Sequence, residues 1–114
     1  MLKIYHNPRC AKSRKGLEYL SSRGIEFEVK NYMKEGLRAD EVREIFLKSN
    51  IKPSQLARTQ DDYYKMYLKG KNFSDDEWVQ IYVDNPAILQ RPIVVGRYKA
   101  VLAIPPENMD VLFK

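Results

Sequence analysis

The chain has 114 residues, of which 44% are hydrophobic and 31% charged, with 5 Gly and 6 Pro. That length fits one compact domain of the common size of roughly 100 to 150 residues, and the composition excludes a disordered or collagen-like chain. Lys and Arg total 20 against 15 Asp and Glu, a formal net charge of +5 that suits anionic small molecules or acidic protein surfaces, but the cations are scattered among acids, which argues against direct nucleic-acid binding.

No apolar run approaches the ~20 residues that span a bilayer. Met1-Leu2-Lys3-Ile4-Tyr5 lacks the layout of a secretion signal, so a cytoplasmic protein without membrane contact is expected. The single cysteine, Cys10, leaves no intramolecular disulfide and too few thiols for a Cys-rich zinc site. No metal is expected, and any thiol chemistry takes its second thiol from another molecule.

Leu2, Ile4 and Tyr5 open an apolar stretch that ends at the turn signal His6-Asn7-Pro8, which predicts a buried strand over residues 2–6. Leu17 and Leu20, with Ala11 and Tyr19 near them, fall at helical spacing between Cys10 and Arg23, and Gly24 stands where a helix C-cap belongs. Ile25 to Lys30 alternates apolar and charged residues, as a half-solvated second strand does. If the two strands run parallel in one sheet, the crossover is right-handed.

The centre reads as helical. Ala39 to Leu47 carries Val42, Ile45 and Phe46 on one face, and Ser74-Asp75-Asp76-Glu77 forms an N-cap and capping box before Trp78, Val79, Ile81 and Tyr82. Pro53 to Lys71 predicts short helices, with Tyr63, Tyr64 and Tyr67 packing this insert and Trp78 in the core. Pro92–Val95 and Ala100–Ala103, joined by Gly96–Lys99, predict an antiparallel hairpin. A short helix from Pro105 to Phe113 closes the chain. The expected architecture is a single α/β domain over residues 1–114, with a helical insert at about 33–89 between the second and third strands.

Cys10 stands after a strand and turn at the start of the first predicted helix, where free N–H groups and the helix dipole stabilise negative charge. His6, Arg9, Lys12 and Arg14 are close in sequence, and such neighbours lower a thiol pKa from about 8.5 to about 3.5–7.5. Ser13 offers a hydroxyl from the next turn. A lone cysteine is often a small buried hydrophobe, but one flanked by Pro8, Arg9, Ala11 and Lys12 is a poor candidate for core packing. Arg58 and Arg91 are ordinarily surface residues, and a functional role requires them to converge on Cys10.

The run Tyr5-His6-Asn7-Pro8-Arg9-Cys10-Ala11-Lys12-Ser13-Arg14 resembles the H-N-P-x-C-x-x-S-R active-site segment of the glutaredoxin-linked arsenate reductase family (ArsC/Spx-like). Arg58, the Ser74-to-Trp78 region, Asn85-Pro86-Ala87-Ile88-Leu89 and Arg91-Pro92-Ile93-Val94-Val95 occur in that family's order. The resemblance implies a thioredoxin-like (glutaredoxin-like) mixed sheet with a helical insertion and a cis peptide bond at Pro92. It further implies that Cys10 attacks arsenate, that glutathione takes up the adduct and that glutaredoxin resolves the mixed disulfide, with no bound cofactor. By position, Cys10 is then the nucleophile, His6 tunes its pKa, Ser13 and Arg14 orient the loop, and Arg58 and Arg91 bind the oxyanion.

One departure bears on the substrate. Arsenate-reducing members place a further anion-binding arginine after the second hairpin strand, where this chain has Ile104. Losing one charged hydrogen bond to an anion costs on the order of 1.5 to 3 kcal/mol. The alternatives are a thiol reductase acting on another substrate and a Spx-type regulator that binds RNA polymerase. Spx-type proteins typically carry a C-x-x-C pair, whose second position here is Ser13.

Overall fold

The strands β1 (Leu2–His6), β2 (Phe27–Asn31), β3 (Ile93–Val95) and β4 (Ala100–Leu102) form one sheet in the order β2-β1-β3-β4 in a computed structural model that describes residues 1–113. β1 pairs parallel with β2, from Leu2 opposite Phe27 to His6 opposite Asn31. It pairs antiparallel with β3, Ile4 opposite Val94, and β3 pairs antiparallel with β4, Val94 opposite Val101. Helix α1 (Ala11–Ser21) connects β1 to β2, while α2 (Tyr32–Glu35), α3 (Ala39–Ser49) and α4 (Asp75–Asp84) lie between β2 and β3. The mixed sheet, the helical insertion and the hairpin match the expected architecture.

The central strands are covered on both faces, and their alternate residues feed two separate cores. Tyr5, Ile93, Val95 and Ala100 pack with Val42, Ile45, Trp78 and Tyr82 of the insert. Ile4, Val94 and Ala103 pack with Leu20 of α1 and with Met109. β2 lies at the sheet edge and begins two residues later than its alternation suggests. Phe27 is its contact with the second core, whereas Val29 remains 46% exposed.

The Ser74 capping box forms as read: Glu77 N–H donates to Ser74 Oγ at 3.1 Å and Ser74 N–H to Glu77 Oε1 at 2.8 Å. The tyrosine-rich stretch forms short helices as expected, but two of its tyrosines depart from expectation. It makes a 3-10 turn at Pro53–Leu56 and a π-type turn at Tyr64–Leu68. A single short turn offers one inward stripe, and Tyr64 with Leu68 occupies it. Tyr63 and Tyr67 therefore do not pack the insert; they lie on the outer side, with ring centroids 4.8 Å apart. The closing helix is a 3-10 helix over Pro106–Leu112. Among the described residues no helix is long and apolar enough to cross a membrane.

One buried charge ties the insert to the sheet. The Glu41 side chain is 3% exposed, with Oε2 2.7 Å from Lys3 Nζ on β1 and Oε1 3.2 Å from Lys30 Nζ on β2. The Arg38 N–H also donates to Oε1 at 2.9 Å. Burial pushes this carboxyl up, but Lys3, the Arg38 N–H and Lys30 together hold it below its ordinary value. A carboxyl lowered by folding contributes stability that is present above its unfolded pKa and is lost as pH falls through the folded value. Glu41→Gln should therefore cost about 1–3 kcal/mol at neutral pH and flatten the acid side of the stability profile. Denaturant unfolding at neutral and acidic pH measures both effects, and an unchanged acid limb would remove Glu41 as its source.

Candidate active site

Cys10 is the N-cap of α1, with φ −96° and ψ 123°, and its side chain makes no capping hydrogen bond. The thiol is thus left facing the free N–H groups at the helix start. Its loop is fixed by backbone and side-chain bonds: Cys10 N–H donates to Asn7 O, Arg9 N–H to Asn7 Oδ1, and Arg14 Nη1 to Pro8 O, each at 3.0 Å. Burial raises the thiol pKa, but the Ser13 N–H, the Arg91 guanidinium and the Lys12 N–H outweigh it, and the thiol lies below its ordinary value.

Ser13 acts on the sulfur through its backbone N–H. Its buried hydroxyl is engaged elsewhere, accepting from Asn7 N–H at 3.0 Å and lying 2.7 Å from His6 Nδ1. His6 is also buried, and burial together with the Arg14 charge moves its ring below the ordinary imidazole value despite the Ser13 contact. When the ring is neutral with Nδ1 unprotonated, Nδ1 accepts a hydrogen bond from the Ser13 hydroxyl. The placement of His6 relative to the thiol is therefore indirect, through Ser13 and the loop, rather than through a charge beside the sulfur.

Arg58 and Arg91 are 33 positions apart in the chain numbering and are brought together by a backbone splice at the end of the insert. Arg58 N–H donates to Ile88 O at 2.7 Å, Gln90 N–H donates to Leu56 O at 2.8 Å, and Ala57 bridges Leu89. Arg91 is 9% exposed; its Nη1 donates to Ala87 O at 3.0 Å, and its buried Nε has no hydrogen-bond partner among the described residues. Behind it, the fully buried Tyr32 donates to Leu89 O at 3.1 Å, with its pKa pushed up by burial to about 12. Cys10, Arg58 and Arg91 line one cleft of about 270 Å³ together with Lys12, Gln60, Gln90 and Ile104. Among the described residues, no group of three or more His, Cys, Asp or Glu is arranged to hold a metal ion.

The Arg91–Pro92 peptide bond is cis, as is Ile104–Pro105. Pro92 packs against α1 at Gly16, where an added Cβ would lie 2.4 Å from Pro92 Cγ. Gly16→Ala should lower the melting temperature, because overpacking costs about 1–3 kcal/mol and exceeds the helix-propensity gain of at most about 1. An unchanged melting temperature would mean that the ring moves aside freely.

A family model described as ArsC family matches residues 5–112. The chain belongs to the ArsC family. This ArsC-family protein is 38% identical over 113 residues to an arsenate reductase of Neisseria meningitidis serogroup A, covering 97% of each chain. It is 34% identical over 108 residues to an arsenate reductase of Haemophilus influenzae, with 93% of each covered. The solved structure of an arsenate reductase from Vibrio cholerae superposes with a TM-score of 0.90 at 29% identity, over 97% of this chain and 96% of that one. The fold is accordingly the thioredoxin-like fold of these reductases.

Several cleft residues carried no signal in the sequence. Gln60, Gln90 and the supporting Tyr32 sit in ordinary polar or apolar surroundings, and only the backbone splice brings them to the site. Asn7 was recognisable as a turn residue before Pro8, and its side-chain oxygen caps the loop in that manner.

Proposed function

We propose that this ArsC-family protein reduces arsenate with Cys10 as the nucleophile and glutathione as the thiol reductant. The observation that carries the reading is a lowered thiol and two guanidinium groups lining the same cleft. Guanidinium forks suit a tetrahedral oxyanion and stabilise charge that gathers on its oxygens as sulfur attacks. The Cys10 sulfur forms a bond to arsenic and one arsenate oxygen leaves as water. Glutathione then attacks the Cys10 sulfur, the sulfur–arsenic bond breaks with its electron pair on arsenic, and arsenite departs with the glutathione proton. Two electrons reach arsenic and the two thiols become a mixed disulfide. Glutaredoxin, with a further glutathione, returns Cys10 to its thiol.

His6, Ser13 and Arg14 hold the loop that presents Cys10, and Pro92, just before β3, packs on α1 at Gly16; Arg58 and Arg91 bind the oxyanion. The test is arsenate-dependent NADPH oxidation in the presence of glutathione, glutaredoxin and glutathione reductase. The expected result is turnover that requires both glutathione and Cys10, and no turnover with a reactive thiol would overturn the substrate. Ile104 in the cleft wall favours the second reading, the same thiol acting on a less highly charged substrate, since an aliphatic side chain offers an anion nothing. A redox switch of the Spx type has no such support, because position 13 is a serine, which cannot form a disulfide with Cys10.

A further inference from the structure

The two cleft arginines are held differently. Arg91 donates to Ala87 O at 3.0 Å, whereas Arg58 approaches the same carbonyl at 3.5 Å and lies 3.8 Å from Asp61 Oδ2. The Arg58 and Asp61 side chains are 26% and 18% exposed, so this pair is shielded more than an ordinary surface pair. Asp61 is itself fixed. Its Oδ1 accepts from Tyr63 N–H at 2.8 Å and Tyr64 N–H at 3.4 Å, and its own N–H donates to Arg58 O at 3.1 Å. The second carboxylate oxygen is left toward the guanidinium. A separation of 3.8 Å is too long for a directed hydrogen bond, so the carboxylate acts on Arg58 through its charge.

We infer that Asp61 is a positioning residue that limits the cleft's affinity for multiply charged anions by competing for Arg58, an assignment that rests on the oxyanion reading of this cleft. A bound dianion gains the attraction of Arg58 only against the pull of Asp61 on the same guanidinium, and it feels the Asp61 charge across that guanidinium rather than in contact with it. A monoanion meets about half that repulsion. Asp61 thereby sets the charge preference of the site while its other oxygen caps the turn that follows.

The test is protection of Cys10 from iodoacetamide by sulfate, arsenate or nitrate, read as the anion concentration that halves the alkylation rate. Asp61→Asn keeps the capping oxygen and removes the charge. It is expected to lower the half-protecting concentration of sulfate and arsenate by roughly two- to fivefold, and that of nitrate by less. The melting temperature is expected to hold. Should that variant melt early, Asp61→Ser, whose hydroxyl accepts from the same N–H groups, carries the same expectation. Protection that is equal or weaker in the variants than in the wild type overturns the Asp61 role and leaves the oxyanion reading standing. No protection by any of the anions in the wild-type protein overturns the oxyanion reading and the Asp61 role together.

Discussion

On the proposed reading, Cys10→Ser is expected to reduce arsenate-dependent NADPH oxidation to background while leaving the protein folded. A serine hydroxyl has no accessible anionic form near neutral pH, and the N–H groups and guanidinium that lower the thiol cannot make an alkoxide of it. The mixed disulfide with glutathione also becomes impossible, because no other cysteine exists in the chain. Stability is expected to hold or rise slightly. Cys10 caps α1 without a side-chain bond, and serine is among the best N-cap residues. The coupled assay and a thermal melt measure the two expectations, and residual turnover above background would remove Cys10 as the nucleophile.

Arg91→Ala has the second largest expected effect because, on the proposed reading, this residue acts on both the thiol and the anion. Its guanidinium is one of the groups that bring Cys10 below the ordinary thiol value. Without it the thiol pKa rises, the thiolate fraction at neutral pH falls, and the alkylation rate of Cys10 titrates at higher pH. The same change removes a charged hydrogen bond to the anion, a loss of about 1.5–3 kcal/mol, which is roughly ten- to more than a hundredfold in affinity. Arg91→Lys keeps the charge but not the fork and should fall between the two. The alkylation pH profile and protection by arsenate read the two effects separately. Loss of melting temperature with unchanged anion affinity and unchanged thiol titration would make Arg91 a structural residue.

These expectations differ in where their grounds lie. The place of Cys10 at a strand-to-helix turn was legible in residues 2–20, since apolar runs, Pro8 and helical spacing are local patterns. The hairpin and the Ser74 capping box were legible for the same reason, each being encoded within a few residues. Tyr63 and Tyr67 misled, because a helical spacing of aromatics does not say which of two adjacent stripes faces inward.

Glu41 illustrates the other case. In the sequence it is one acid in a charged helix start, and it becomes a buried partner of Lys3 and Lys30 only when α3 lies across β1 and β2. The sequence by itself determined the place of Cys10 at a strand-to-helix turn, the order of elements and the family resemblance, all of which rest on short-range pattern. Tertiary structure alone decided that Arg58 and Arg91 share a cleft with Cys10 and that Glu41 is buried between Lys3 and Lys30. The physical reason is that these contacts follow from the Leu56–Arg58 and Ile88–Gln90 backbone splice and from burial, and neither leaves a periodicity in the chain.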